Sequence, residues 1–207
     1  MASDVLGGTL DIHGGGIDLS FPHHDNELAQ SEAFHCNDQW VNYFLHAGHL
    51  HIEGQKMSKS LKNFVSIREA LEKYTARQIR ILFLMHDWAA ILDYKKESME
   101  QAIGVETTFK NYFSGLQALL REHKNDIAVG GHNYAADERA LLQGFLDAQQ
   151  RVHEAMCDSI DTRTALQLLL EMVRMSNVYV MSHTDRPCTA VLAKIARYIT
   201  RMLRVRQ

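Results

Sequence analysis

Lys56-Met57-Ser58-Lys59-Ser60 carries the strongest chemical signal in the sequence. Two ammonium groups three residues apart, with small hydroxyl residues among them, form a loop that can close on a polyphosphate. When an α-phosphate is attacked, charge builds on the departing pyrophosphate. Lysine charges placed there stabilise the transition state more than the ground state. The hydroxyls can bond the loop's own backbone and shape its turn. Two lysines at this spacing are usually a solvated loop. The whole pentapeptide, after a strand and turn and before a helix, is far more specific.

A second constellation lies upstream, in Asp11-Ile12-His13-Gly14-Gly15-Gly16-Ile17-Asp18-Leu19-Ser20-Phe21-Pro22-His23-His24-Asp25-Asn26-Glu27. Three glycines remove side chains, so a ligand can approach the backbone. Asp18 can hold an ammonium group or ribose hydroxyls. His23 and Glu27 are four apart, which on a helix puts imidazole and carboxylate on one face, where both could bind one Zn²⁺. Alone, such a pair is most often a surface ion pair, and a Gly-rich strand end is a weak signal. Their occurrence together, ahead of the lysine loop, gives them weight.

The surrounding elements are legible from pattern. Thr9 to His13 alternates as a short strand, which Gly14-Gly15-Gly16 should end. A helix should follow Pro22, whose ring is preset for a first turn. Tyr43 to Ile52 reads as strand, and Glu53-Gly54-Gln55 turns the chain. Ser66…Glu69 and Thr75…Gln78 have capping-box spacing, so each should open a helix, the second running to Met85. Longer helices are expected over about 97–123, 137–157, 163–183 and 189–204, the third capped at Asp161-Thr162, with loops at Gly130-Gly131 and Pro187. Leu192, Ile195, Ile199 and Met202 fall on one face of the last helix.

Composition changes near residue 90: eight of the 12 histidines precede it, and long helical segments follow. The expected fold is α/β plus α, with an α/β part over 1–90 and a helical bundle over 91–207. The length of 207 residues suffices to bury a core. The formal charge of −3 excludes a general basic coat for nucleic acid, so such contacts must come from a local face. Cys36, Cys157 and Cys188 lie far apart, with no C-x-x-C pair, which argues against a complete zinc ribbon or a disulfide framework and for a reducing compartment. No basic, apolar leader pattern opens the sequence, and no run of 18 apolar residues occurs.

The stretch DIHGGGIDLSFPHHDNELAQSEA, followed by KMSKSLKNF, resembles cysteinyl-tRNA synthetase, a class I aminoacyl-tRNA synthetase. Lys62, where bacterial forms usually have Gly, and CDSIDTRTA at 157–165 make it more similar to the eukaryotic cytosolic form. The resemblance covers nearly the whole chain. It implies a Rossmann-like catalytic domain ending in residues 1–90, then a helical tRNA-binding domain of the anticodon-binding type. It implies ATP-dependent activation of cysteine and transfer to tRNA-Cys in the cytoplasm, with Mg²⁺ accompanying ATP and no covalent enzyme intermediate.

By the same resemblance, His23 and Glu27 match two of four zinc ligands. Lys59 matches the ATP-binding lysine, with Lys56 assisting. Asp18 lies where the family holds the substrate amino group or the adenylate. A thiolate substrate can join the zinc's coordination sphere, whereas serine's hydroxyl is a poor ligand, so the metal can discriminate cysteine without editing. The family's HIGH motif and two zinc cysteines have no match here, and Cys36 takes neither cysteine position. The chain is therefore expected to begin inside the catalytic domain, and its activity alone is open. The alternative is a non-catalytic module that binds tRNA or another synthetase subunit; a homo-oligomer or a synthetase complex would suit either reading.

Other features have plainer readings. His46, His49 and His51 are expected beside a polar site rather than as a metal set. Trp40 and Trp88 read as packing residues, and Cys36 as a semi-buried small hydrophobe. Asp93-Tyr94 resembles the family's stretch linking the two domains, near the tRNA acceptor stem. Lys194, Arg197, Arg201 and Arg204, spaced 3, 4, 3, lie on one face of the last helix, a solvated face or a phosphate contact.

Overall fold

The computed structural model describes residues 2–57, 64–123 and 134–204. Lys59, Lys62 and the Gly130-Gly131 loop lie outside the described residues. Two compact units are present, one from Met1–Lys73 and His86–Ser98, the other from Tyr74–Met85 and Met99–Gln207. The change of unit is thus not a single point near residue 90, because the segment 74–85 belongs with the helices and 86–98 returns to the α/β part.

In the first unit, α1 (Ala2–Leu6) precedes β1 (Leu10–Gly16), and β1 pairs in parallel with β2 (Val41–Ala47). A parallel pair needs a crossover, here supplied by α2 (Asp25–His35). The register runs from Leu10 opposite Val41 to Gly16 opposite Ala47. The glycines therefore do not end the strand, as the sequence suggests; all three lie inside it. Their backbone groups are satisfied by β2, and the space of the missing side chains is taken by residues that follow. A Cβ on Gly15 would sit 2.8 Å from His24 Cε1, and one on Gly16 2.6 Å from Asp18 Oδ1.

The segment read as one strand over 43–52 breaks at Gly48 into β2 and β3 (Leu50–Ile52). Gly48 N–H donates to Trp88 O at 2.9 Å, and any side chain there would run into the Ala90 carbonyl, so the break is imposed by backbone packing. β3 is the centre of a second sheet, ordered β4-β3-β5, with β4 (Gln55–Lys56) antiparallel and β5 (Leu92–Tyr94) parallel to it. Glu53 and Gly54 both take positive φ in the turn from β3 to β4. The Asp93 carboxylate of β5 accepts from Gly54 N–H at 2.9 Å, which braces the hairpin that carries Lys56. α3 (Ile67–Lys73) opens on the expected box: Ser66 Oγ accepts from Glu69 N–H, and Glu69 Oε2 accepts from Ser66 N–H at 2.7 Å.

The second unit holds α4 (Ala76–Leu84), most of α5 (Lys96–Glu122), α6 (Ala136–Cys157), α7 (Thr162–Ser182) and α8 (Thr189–Leu203). Thr75 and Gln78 close the capping box of α4, and Asp161 Oδ1 accepts from Thr164 N–H at 2.9 Å at the head of α7. The core is built from one face of each helix, including Phe145, Val152, Met172, Val173, Leu192 and Ile199, all essentially inaccessible. Burying each such side chain contributes roughly 1.5–3 kcal/mol relative to exposure. Leu84 and Met85 pack against this core, which is why 74–85 groups with the helices. Tyr179 OH accepts from Cys188 N–H at 3.1 Å and donates to Glu138, tying the starts of α8 and α6 to α7. Among the described residues no helix is long and apolar enough to cross a membrane.

Candidate functional site

The end of β1, the turns after it, and β2 bring four histidines and a carboxylate together in the first unit. Parallel pairing sets His13 opposite Phe44 and Gly15 opposite His46. After β1 the chain makes one 3₁₀ turn (Ile17–Leu19) and a kinked segment (Ser20–His24) with Phe21 extended, before α2 begins. The two adjacent histidines at its end face different ways. His24 is buried at 4% exposure, and the His23 side chain is 59% exposed.

Glu27, on the first turn of α2, reaches both ways. Its Oε2 lies 2.7 Å from His13 Nε2, and its Oε1 lies 3.6 Å from His23 Nε2. The expected i,i+4 approach of His23 and Glu27 is therefore present. His24 Nδ1 is 2.8 Å from His46 Nε2. The His13 and His24 rings are 4.4 Å apart, and Phe44 and Trp40 flank them. One ligand atom each from His13, His24 and Glu27 lies within 4.8 Å of the others. Burial, reinforced by His13 and opposed by Glu27, holds the His24 imidazole below its ordinary range, so it stays neutral near pH 7.

Asp18, on the 3₁₀ turn, is 56% exposed at its side chain, folds back over Gly16, and lies 3.8 Å from His49 Nδ1. It is thus a carboxylate presented to solvent at the Gly-rich strand end, where it can meet a cationic ligand group. Lys56 sits on the exposed β4, in register with His51. His46, His49 and His51 each line this region separately, His46 through His24, His49 through Asp18 and His51 opposite Lys56. Cys36 is exposed rather than semi-buried, because it takes the left-handed position that ends α2. Trp40 is buried as packing.

His13 and His24 are the residues the sequence reading passed over. The available signal was the alternation along β1 and β2; the kink before α2, after which His24 is buried, leaves no trace in the spacing.

The family described as "tRNA synthetases class I (C) catalytic domain" matches residues 1–104. The chain belongs to the class I (C) tRNA synthetase family. The cytoplasmic cysteine–tRNA ligases of Homo sapiens and Gallus gallus are each 47% identical to it over 208 aligned residues. The match takes in 99% of this chain and 28% of each relative, so the chain spans a little over a quarter of the length of the curated relatives it matches. Among solved structures, the LeuRS of Agrobacterium radiobacter K84, in a ternary complex with tRNA and LeuAMS, superposes with a TM-score of 0.72 at 16% identity, over 93% of this chain and 25% of that one. That likeness identifies the class I synthetase fold. The matched family region, 1–104, contains the whole histidine–Glu27 cluster, Asp18 and the lysine loop.

The second unit has its own candidate surface. Arg197 and Arg201 of α8, with Arg204 just past its end, edge a groove of about 750 Å³ also lined by Phe113, Leu116 and Leu120 of α5. Arg201 lies over the Tyr198 ring at 5.5 Å, which fixes part of this basic edge. Lys194 is exposed on the same helix.

Proposed function

We propose that this chain is part of a cytoplasmic cysteine–tRNA ligase, supplying the later section of its catalytic domain and an adjoining tRNA-binding helical unit. The reaction is activation of L-cysteine by ATP, with Mg²⁺ on the phosphates, followed by transfer to tRNA-Cys. The observation that carries the reading is the joint placement of Asp18 and the imidazole–carboxylate cluster at the Gly-rich end of β1, within the region that matches the class I (C) family.

Asp18 holds the amino group of cysteine or of its adenylate in this reading, which is supported by the exposure of its carboxylate beside Gly16. Lys56, on the braced hairpin, and Lys59 act on the phosphates. Their charges oppose the negative charge that develops on leaving pyrophosphate, while positioning does the rest. His23 and Glu27 offer two donors to zinc, and imidazole nitrogen with carboxylate oxygen is a donor set that suits this ion. Bound there, zinc would take the substrate thiolate as a ligand and so favour cysteine over serine. The basic edge of α8 contacts tRNA phosphates, an electrostatic role that needs no overall positive charge.

The test is a chimera. The matching segment of the human cytoplasmic cysteine–tRNA ligase is replaced by this chain, and charging of tRNA with cysteine is measured. Charging above that of the same ligase with the segment deleted is expected. A folded chimera that binds tRNA and charges nothing would favour a non-catalytic tRNA-binding module instead.

A further inference from the structure

Asp93 is far from Lys56 in sequence, yet it meets the hairpin that carries it. β5 runs parallel beside β3, and Lys56, His51 and Asp93 fall in one row across the three strands. The Asp93 carboxylate reaches past the end of β3 and accepts from Gly54 N–H at 2.9 Å. We infer that Asp93 is a positioning residue for the phosphate chemistry: by holding the turn between β3 and β4, it sets where the Lys56 ammonium stands. The inference rests on the proposed action of Lys56 on ATP, and adds the residue through which that action depends on β5.

The hairpin holds its own shape poorly. Its loop is Glu53 and Gly54, between the paired Ile52 and Gln55, and both residues take positive φ, 51° and 80°. Two-residue loops of this kind favour Asn, Asp or Gly at the first position, and a glutamate there is disfavoured. Such a residue persists in the left-handed region when its surroundings fix it. Lys56 stands on β4, a strand of two residues whose one neighbour among the described residues is β3, and so short an edge frays readily. β5 supplies the support from the far side of β3. Glu53 N–H donates to Tyr94 O at 3.4 Å, a long bond, while the 2.9 Å bond from Gly54 N–H is strengthened by the carboxylate's charge. Both central amides of the turn therefore end on β5, the stronger bond on the Asp93 side chain. Beyond Lys56 the ladder continues to Met57, whose N–H donates to Leu50 O at 3.2 Å, so Lys56 lies between two fixed points. Its charge must meet the negative charge that develops on pyrophosphate, so a shift of about 1 Å costs rate far more than it costs substrate binding.

Two measurements test it, one on the 207-residue chain and one on the chimera. In the chain, solvent exchange of the Gly54 amide is followed by NMR. Asp93→Ala should speed it by about tenfold or more, and Asp93→Asn, which keeps an acceptor oxygen, by less than about threefold. Lys95→Ala, which removes the cation 3.7 Å from the other carboxylate oxygen, should leave it unchanged. In the chimera, cysteine-dependent exchange of pyrophosphate into ATP needs no tRNA. There Asp93→Ala should lower kcat by about tenfold to a hundredfold with KM for ATP and cysteine unchanged, and Asp93→Asn should restore most of the rate. In a Lys56→Ala background, Asp93→Ala should cost less than about threefold more, because the group it positions is gone. Far-UV circular dichroism checks folding; if Asp93→Ala does not fold, Asp93→Ser, polar but too short to reach Gly54, takes its place. An unchanged Gly54 amide in Asp93→Ala, or an equal loss with and without Lys56, overturns the inference. So does a defect confined to transfer onto tRNA, which would make Asp93 a tRNA contact. A folded chimera that never exchanges pyrophosphate overturns the ligase reading, while the Gly54 amide decides the brace by itself, so the two proposals fail separately.

Discussion

Gly15→Ala is the sharpest probe of how β1 builds the site. The new Cβ would lie 2.8 Å from His24 Cε1, 3.0 Å from its Nε2 and 3.1 Å from Leu19 Cδ1. Reaching the 3.4 Å of ordinary contact requires the ring to retreat by about 0.6 Å. The ring has little room, being 4% exposed and wedged between His13 and Phe44. Retreat stretches the 2.8 Å bond to His46, a loss of about 0.5–1.5 kcal/mol. Overpacking of one methyl adds about 1–3 kcal/mol. The backbone itself is not strained, since Gly15 does not have positive φ. The first unit should therefore lose about 2–4 kcal/mol, while the helical unit is unaffected. Hydrogen exchange resolved by peptide reads the two units separately, and imidazole NMR signals of His24 and His46 should move together. Unchanged protection across residues 10–47 together with unmoved imidazole signals would refute the packing argument.

Other predictions concern the helical unit. Gly104 and Gly115 are exposed on α5, and a methyl added at either position would meet nothing within 4 Å, so Gly104→Ala and Gly115→Ala should each stabilise by about 1 kcal/mol, seen as a raised Tm. Asp161→Ala should remove the α7 cap at a cost of about 0.5–2 kcal/mol in chemical denaturation. Thr164, first through its hydroxyl and then its backbone N–H, holds the Asp161 carboxyl below its usual range; this contribution is present above the unfolded-state pKa and lost as pH falls through the lower folded one, so the gap between wild type and variant should begin to narrow only as pH falls below about 4. Arg197→Glu with Arg201→Glu should weaken tRNA binding at low salt and flatten its salt dependence by roughly one unit of slope per lost phosphate contact; equal affinity at low salt would mean the face is only solvated.

Local chemistry was the part of the fold most legible in sequence. Ser66 with Glu69, Thr75 with Gln78, and Asp161 each sit where their hydrogen-bonding capacity favours a helix start, because an open helix end leaves donors that nearby side chains can satisfy. The apolar spacing of α8 likewise announces its buried face. What was not legible depends on contacts distant in sequence. The run of glycines looked like a strand end because glycine weakens an isolated strand, yet β2 supplies partners and His24 and Asp18 occupy the vacated space. Gly48 interrupts a strand-like run because a carbonyl more than forty residues later fills its side-chain position. The choice of His24 over His23 depends on the path of the chain through the kink at extended Phe21, which residue spacing alone does not encode.

The central claim is that the lysine loop of this chain acts on ATP in a cysteine–tRNA ligase. Its most direct test is cysteine-dependent exchange of pyrophosphate into ATP by the chimera described above, with and without Lys59→Ala. The unsubstituted chimera should exchange, and Lys59→Ala should slow exchange by about 10²–10³, as expected for the loss of one transition-state contact, with Tm unchanged. Exchange by Lys59→Ala at the unsubstituted rate, or a folded chimera without cysteine-dependent exchange, would contradict the account.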